Sequence, residues 1–328
     1  MARIINQYDL DISQIVKLLQ SGEVVALPSE TVYGLAADAT NSYAVEKIYT
    51  VKQRPNNNPL IAHVSNIQMA EQYCIIDPVS RFFMKKFWPG ALSLVLPVRK
   101  EAGFSSYAMA GLSTVAMRCP KGIFNTIIAE YGRPLVAPSA NSSGKISPTS
   151  AQDVQNDIGK FIPIIVDGGR SDIGVESTII KIVENKIYVL RPGGIPNDII
   201  LNTIEEYRRN SGSHIELILS AEGSKIEAPG MLNSHYAPNA KVNLGINKLE
   251  TGWALLKFGE QNTANEHLAI KILNLSLTGD LNEAAHNLYR YLRILDLSGA
   301  SVIGVENVPN IDLGIAINDR LKRAAAPR

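Results

Sequence analysis

Apolar positions recur along this chain at two different periods. Ile12, Ile15, Val16 and Leu19 fall at i, i+3, i+4 and i+7, which sets them on one helix face, and Gly22 is placed to end that helix. The apolar run from Glu23 to Pro28 predicts a buried strand opening into the polar turn SETVYG. From there to about residue 205 short β-branched runs (LIAHV, ALSLVLPV, STVAMR, PLVAP, FIPIIV, STIIKIV, KIYVLR) alternate with helical stretches, the pattern of an α/β domain of about 200 residues.

The pattern breaks near Arg209. RRNSGS is polar, and the stretch from Ala221 to Pro238 carries Gly, Pro and Ser with little periodicity. Residues 210–239 therefore read as a linker, with a short strand at HIELIL. Beyond it WALLKF, LAIKILNL and SVIGVENV read as strands. Between the last two lies a helix with Leu281, Ala284, Ala285, Leu288, Leu292 and Leu295 on one face, and Asp280 followed by Glu283 resembles a capping box. Gly314 to Ala326 predicts a final helix. The expected organisation is an α/β domain over 1–209, a linker over 210–239 and a smaller parallel-sheet, Rossmann-like domain over 240–328.

Composition narrows the function. A chain of 328 residues suits two cores better than one, and 45% hydrophobic against 19% charged residues is an ordinary globular balance. Lys plus Arg number 32 against 31 Asp plus Glu, so the net charge of +1 speaks against coating duplex phosphate by bulk electrostatics. A local basic pocket remains open. Cys74 and Cys119 lack metal-ligand spacing and are expected as buried, inert thiols. No signal-like apolar core and no run of membrane-spanning length occurs, so the protein is expected in the cytoplasm. The common nucleotide and hydrolase signatures are missing, and the five histidines do not cluster as metal ligands.

Polar clusters at predicted strand ends carry the chemistry instead. PSETVYGL, residues 28–35, presents hydroxyls and backbone N–H groups where α/β sheets bind ligands, although a turn with Ser29 as a cap explains it more plainly. In KQRPNNNPLIAHV, residues 52–64, Lys52 and Arg54 straddle one residue. On an extended segment both heads would point one way, as a polyphosphate needs. His63 lies in the apolar run that follows, either as a satisfied core histidine or as a ligand contact. Arg118 ends the apolar run STVAMR, where an unpaired guanidinium would be costly; its partner is a protein carboxylate or the carboxylate of a substrate. The loop after PLVAP crowds Ser139, Asn141, Ser142, Ser143, Ser147, Thr149 and Ser150 around Gly144, offering neutral donors to phosphate or ribose, and a helix is expected to start at Pro148–Thr149. DGGRSDIGVESTIIKI and VLRPGGI again gather cations and hydroxyls beside glycines.

Taken together, PSETVYGL, the Lys52/Arg54 pair with PLIAHV, WPGALS, VAMRCP, APSAN with SGKISPT, DGG with VESTII, and LRPGGI resemble the YrdC-like family in its two-domain threonylcarbamoyl-AMP synthase form. APGMLNSHYAP, residues 228–238, is similar to the family's linker motif, so the resemblance covers nearly the whole chain. It implies a twisted mixed sheet around an open concave cavity. It also implies a nucleotidyltransferase that joins L-threonine, bicarbonate and ATP into threonylcarbamoyl-AMP for tRNA modification, with Mg²⁺ carried on the ATP phosphates, no metal held by protein side chains and no organic prosthetic group. Lys52, Arg54, Asn58, Ser139, Asn141, Thr149, Arg191 and Tyr236 would meet ATP, with Lys52 and Arg54 as the catalytic cations. Thr31, His63, Thr114, Arg118 and Ser177 would surround threonine. A downstream threonylcarbamoyl-transferase of the KEOPS type and tRNA would be the partners, and the linker would act as a lid. The chain departs from the family pattern at Leu232, Asn233 and Ser234, where basic or aromatic residues are usual, and at Ala228, where Ser is common. The competing readings are a carbamoyltransferase-type enzyme and a non-catalytic RNA-binding protein.

Overall fold

The structure, a computed structural model, describes residues 1–55, 58–219, 228–230 and 235–327. The larger sheet is built from β1 (Arg3–Asn6), β2 (Val25–Leu27), β3 (Gly34–Asp38), β4 (Ile61–His63), β5 (Leu92–Pro97), β6 (Thr114–Arg118), β7 (Leu135–Val136), β8 (Ile164–Asp167), β9 (Thr178–Val183), β10 (Lys186–Arg191) and β11 (Glu216–Ile218). Their spatial order is β1-β8-β2-β3-β7-β4-β6-β5-β9-β10-β11, with parallel and antiparallel pairs mixed. Around it pack α1 (Ile12–Gln20), α2 (Ser42–Lys52), α3 (Ile67–Tyr73), α4 (Pro78–Phe87), α5 (Ser106–Met109), α6 (Ile123–Tyr131), α7 (Ala151–Asp157) and α8 (Asn197–Ser211).

Local chemistry sets these boundaries. Asp11 and Asp77 accept from the first-turn N–H groups of α1 and α4, satisfying donors that have no partner inside the helix. The α7 helix opens on a complete capping box between Ser150 and Asp153, so it starts just after the expected Pro148–Thr149. No helix follows Ser29; its hydroxyl instead braces the turn, donating to the Val32 carbonyl oxygen at 2.6 Å.

The first domain reaches further than the linker pattern indicated. Helix α8 runs to Ser211, and the strand expected inside the linker is β11, which pairs in parallel with β10 and completes the large sheet. Residues 220–227 and 231–234 of the expected linker, Leu232, Asn233 and Ser234 among them, lie outside the described residues.

The second domain holds β12 (Lys241–Leu244), β13 (Trp253–Lys257), β14 (Ile272–Asn274), β15 (Val302–Val305), α9 (Leu281–Asp296) and α10 (Asp312–Ala325). Its sheet is parallel, in the order β12-β15-β13-β14. Asp280 caps α9, but Glu283 does not complete the box; it accepts from Ser276 Oγ instead. The two domains share a core. Val32, Ile146 and Val175 pack with Tyr236 and the apolar face of α9. At Gly174, with φ +82°, a Cβ would lie 2.4 Å from the Ala285 carbonyl oxygen, so this approach of first-domain backbone to α9 admits only glycine.

Candidate functional site

A cavity of about 50 Å³ opens where strand ends of the large sheet meet the linker. One part is formed around Arg118, the last residue of β6. Its neighbour in register on β4 is His63. The guanidinium donates through Nε to the Gly90 carbonyl oxygen at 3.0 Å and through Nη1 to Thr31 Oγ1 at 2.8 Å, while Nη2 lies 2.8 Å from Glu30 Oε1. The strand-end cation therefore has a protein carboxylate as partner, and it still lines the cavity. Burial would raise the Glu30 carboxyl, but the Arg118 charge and hydrogen bond hold it below its ordinary value. His63 stacks on Phe124 with ring centres 5.0 Å apart, and its Nδ1 is buried without a hydrogen-bond partner. Burial, reinforced by the Arg118 charge, pushes this imidazole down to about 3, so it is neutral at physiological pH.

A second part gathers two more cations. Arg191, the last residue of β10, donates through Nε and Nη2 to the Ser177 carbonyl oxygen and through Nη2 to Ser177 Oγ. Ser177 Oγ in turn lies 2.8 Å from Ser93 Oγ. Arg54 is fixed by the carbonyl oxygens of Asn58 and Pro59, at 3.3 and 3.1 Å. Burial pushes Arg54 down to about 10 and lowers Arg191 as well, yet Arg54 remains charged near neutrality. Each guanidinium has five N–H donors, so donors remain for an anionic ligand on both.

The linker covers this part. Arg191 Nη1 donates to the Pro229 carbonyl oxygen at 3.3 Å. At Gly230, φ +86°, a Cβ would stand 2.7 Å from Arg191 Cδ and 3.0 Å from the Tyr236 hydroxyl, so glycine lets the backbone lie on the arginine. Tyr236 and His235 line the cavity from the same side, with their rings 4.1 Å apart.

Thus Thr31, His63, Arg118, Arg54, Ser139, Ser177, Arg191 and Tyr236 meet in one cavity. Five other expected site residues stand elsewhere. Lys52 is not on an extended segment with Arg54: it is the last residue of α2, and Gln53 turns the chain with φ 51°. Its ammonium points behind the cavity wall, to the carbonyl oxygens of Ser139 (2.5 Å) and Asn141. Burial, and then the Arg54 charge, push Lys52 well below its ordinary value. Asn141 is turned inward on its own loop, donating to the carbonyl oxygens of Ser142 and Lys145. Asn58 is buried beside Arg54 with both side-chain polar atoms unpaired. Thr149 is engaged by Asp153 at the start of α7. Thr114 begins β6, four residues and roughly 13 Å from Arg118, and does not line the cavity.

Several site residues escaped the sequence reading. Glu176 is a carboxylate lining the cavity, close to Val175 and the apolar start of β9, and Glu30 stands behind Arg118 as its partner. The cost argument applied to Arg118 points equally to a carboxylate in such a setting. Arg320 is the clearer omission. On α10 it falls between Ala316 and Ala324 at spacing four, on the buried stripe, and it is fully buried. Cys74 and Cys119 are both buried free thiols, raised to about 12 by burial, which leaves them unreactive.

Among the described residues, no group of His, Cys, Asp or Glu could hold a metal ion, and no helix is long and apolar enough to cross a membrane.

Fold and cavity define a two-domain α/β protein with an arginine-rich, strand-end pocket for an anionic ligand. Residues 17–193 match the Sua5, YciO and YrdC family model, described as telomere recombination, and residues 199–326 match the threonylcarbamoyl-AMP synthase C-terminal domain. The chain belongs to the Sua5, YciO and YrdC family. The threonylcarbamoyl-AMP synthase of Bacillus subtilis (strain 168) is 39% identical, covering 98% of this chain and 94% of its own. That of Pyrococcus abyssi (strain GE5 / Orsay) is 38% identical over 94% of this chain and 92% of its own. The crystal structure of P. abyssi Sua5 complexed with L-threonine superposes with a TM-score of 0.83 at 33% identity, covering 99% of this chain and 98% of that one.

Proposed function

We propose that this protein is a nucleotidyltransferase that condenses L-threonine, bicarbonate and ATP into threonylcarbamoyl-AMP, releasing pyrophosphate and water. The observation that supports the reading is one cavity in which Arg118, Thr31 and His63 stand beside two further arginines, Arg54 and Arg191. The full-length likeness to threonylcarbamoyl-AMP synthases supports it.

Arg118 keeps N–H donors beyond those given to Gly90, Thr31 and Glu30, and these would take the threonine carboxylate. The neutral His63 offers a hydrogen bond rather than a charge. The threonine amine, as the free base, takes up carbon dioxide from bicarbonate to give a carbamate. A carbamate oxygen then attacks the α-phosphorus of ATP, the bond to the β-phosphate oxygen breaks, and pyrophosphate leaves. No covalent intermediate on the protein is needed. The work is placing two anions together and offsetting their charge, the usual logic of nucleotidyl transfer. Arg54 and Arg191 would face the phosphates. Lys52 would act from behind by fixing the Ser139–Asn141 loop. Asn58, buried beside Arg54 with two unpaired polar atoms, would stand next to the nucleotide site.

Magnesium would enter as part of the MgATP substrate. Glu176 in the cavity and Glu30 behind Arg118 are held by Arg320 and Arg118, so no step here uses them as metal ligands. A mixed carbamic–phosphoric anhydride is prone to hydrolysis, and linker residues covering the cavity would keep water from it before transfer to tRNA by a KEOPS-type threonylcarbamoyl-transferase. An RNA-binding role is less well supported, because Arg54 and Arg191 are buried rather than displayed on an open face.

Incubation with [¹⁴C]bicarbonate tests the reading. Radiolabel should appear in an AMP-containing product only when ATP and L-threonine are both present. Label absent from every adenylate would refute the reaction.

A further inference from the structure

Arg320, from the last helix of the C-terminal domain, reaches into the wall of the cavity. Its Nε donates to Glu176 Oε2 at 2.7 Å, its Nη2 to the Pro192 carbonyl oxygen at 2.9 Å and its Nη1 to Asp319 Oδ2 at 2.5 Å. Residues 176 and 192 flank the pair formed by Ser177 and Arg191, whose hydrogen bonds fix the Arg191 head. One guanidinium thus clasps both chain segments that carry this cavity cation. The same guanidinium carbon stands 5.1 Å from the ring centre of Tyr236, which lines the cavity from the linker. From the far side Tyr289 of α9 and Ser147 complete the carboxylate, donating to Glu176 at 2.9 and 2.6 Å.

Breaking so buried an ion pair is costly, but replacing it whole by apolar groups often is not, so its presence calls for more than stability. Its geometry supplies the reason. Three separate acceptors and a stacked ring require a planar fork, which lysine cannot supply.

We propose that Arg320 is a positioning residue for the nucleotide: it holds the Glu176–Arg191 wall and the Tyr236 ring in place, so that the C-terminal domain completes the ATP side of the pocket. The proposal rests on the reaction proposed above for the identity of the ligand. None of the cavity residues expected around threonine, Thr31, His63, Arg118 and Ser177, receives a bond from Arg320.

The test compares full-length wild type with Arg320→Lys, which keeps a cation beside Glu176, and with Arg320→Gln. If Arg320→Gln does not fold, Arg320→Lys alone decides. The KM for ATP should rise roughly tenfold, the loss expected for one or two charge-assisted hydrogen bonds, while the KM for threonine stays within about twofold. Equal change in both KM values, a fall in kcat alone, or full rescue by lysine would overturn the proposal. Calorimetric titration with α,β-methylene-ATP separates this test from that of the reaction. If wild type binds the analogue but makes no adenylate, the reaction fails, while weaker binding by Arg320→Lys still supports the positioning role and equal binding overturns it. Absence of binding to wild type overturns both.

Discussion

Arg118 and Glu30 approach to 2.8 Å with each side chain about 5% exposed, one at the end of β6 and the other in the turn after β2. The pair fixes the arginine against the Thr31 hydroxyl while part of its fork faces the cavity. Replacing the fork by a single ammonium in Arg118→Lys should raise the KM for threonine by about tenfold or more, the scale of one charge-assisted hydrogen bond, and change that for ATP far less. Initial-rate measurements with each substrate varied would show the split. Equal effects on both substrates would remove Arg118 from the threonine subsite.

Lys52 predicts a different failure. Its ammonium ties the end of α2 to the loop carrying Ser139, and Lys52→Met would remove the donor to the Asn141 carbonyl oxygen and leave the Ser139 carbonyl oxygen with the Asn141 N–H alone. Each lost charge-assisted bond is worth roughly 1.5–3 kcal/mol, so the melting temperature should fall together with nucleotide affinity. Unchanged melting with lost turnover would instead mean that Lys52 touches substrate directly.

His63 should be silent in the pH profile. With its pKa pushed down to about 3, the imidazole stays neutral throughout the working range. The unfolded chain would protonate it near 6.5, so it makes stability rise with pH between about 3 and 6.5 without adding a neutral-range inflection to activity. Profiles of kcat/KM for threonine in wild type and His63→Gln should run parallel from about pH 6 to 8. An inflection that His63→Gln abolishes would contradict this assignment.

How much of this was legible in the sequence varies with range. The α1 stripe of Ile12, Ile15 and Leu19 and the α9 stripe from Leu281 to Leu295 were readable, because helical periodicity is a local signal and a buried face enforces it. The strand runs were readable for the same reason, and their assembly into a mixed sheet with a second parallel sheet followed the resemblance. Short strands such as β1 and β3 were not, since RIIN and GLAAD carry too few residues for a period. Lys52 and Arg54 show the limit of spacing arguments: two residues apart they share a side only if the backbone is extended, and here a helix end and a left-handed Gln53 intervene. The Arg320–Glu176 bond spans 144 residues and two domains, so no local pattern could announce it. Only the oddity of an arginine on an apolar helix stripe was there to be noticed.

That bond has a consequence for acid stability. Burial would raise the Glu176 carboxyl, but Arg320, Arg191 and the Ser147 hydroxyl more than offset it and hold it at about 2 against an ordinary 4.5. A carboxylate lowered on folding contributes stability that is complete above about 4.5 and is lost as pH falls through about 2. Glu176→Gln should therefore be less stable than wild type near neutrality, with the gap in melting temperature narrowing from pH 4.5 towards pH 2. A gap that stays constant across that window would show that Glu176 is not ionised in the folded protein.

The central claim is that one cavity joins threonine, bicarbonate and ATP. Pyrophosphate release by the purified full-length protein, with MgATP, L-threonine and bicarbonate each omitted in turn and with serine replacing threonine, tests it most directly. Release that needs all three and fails with serine is the predicted result. Release indifferent to threonine or bicarbonate, or none at all from protein that binds ATP, would contradict it.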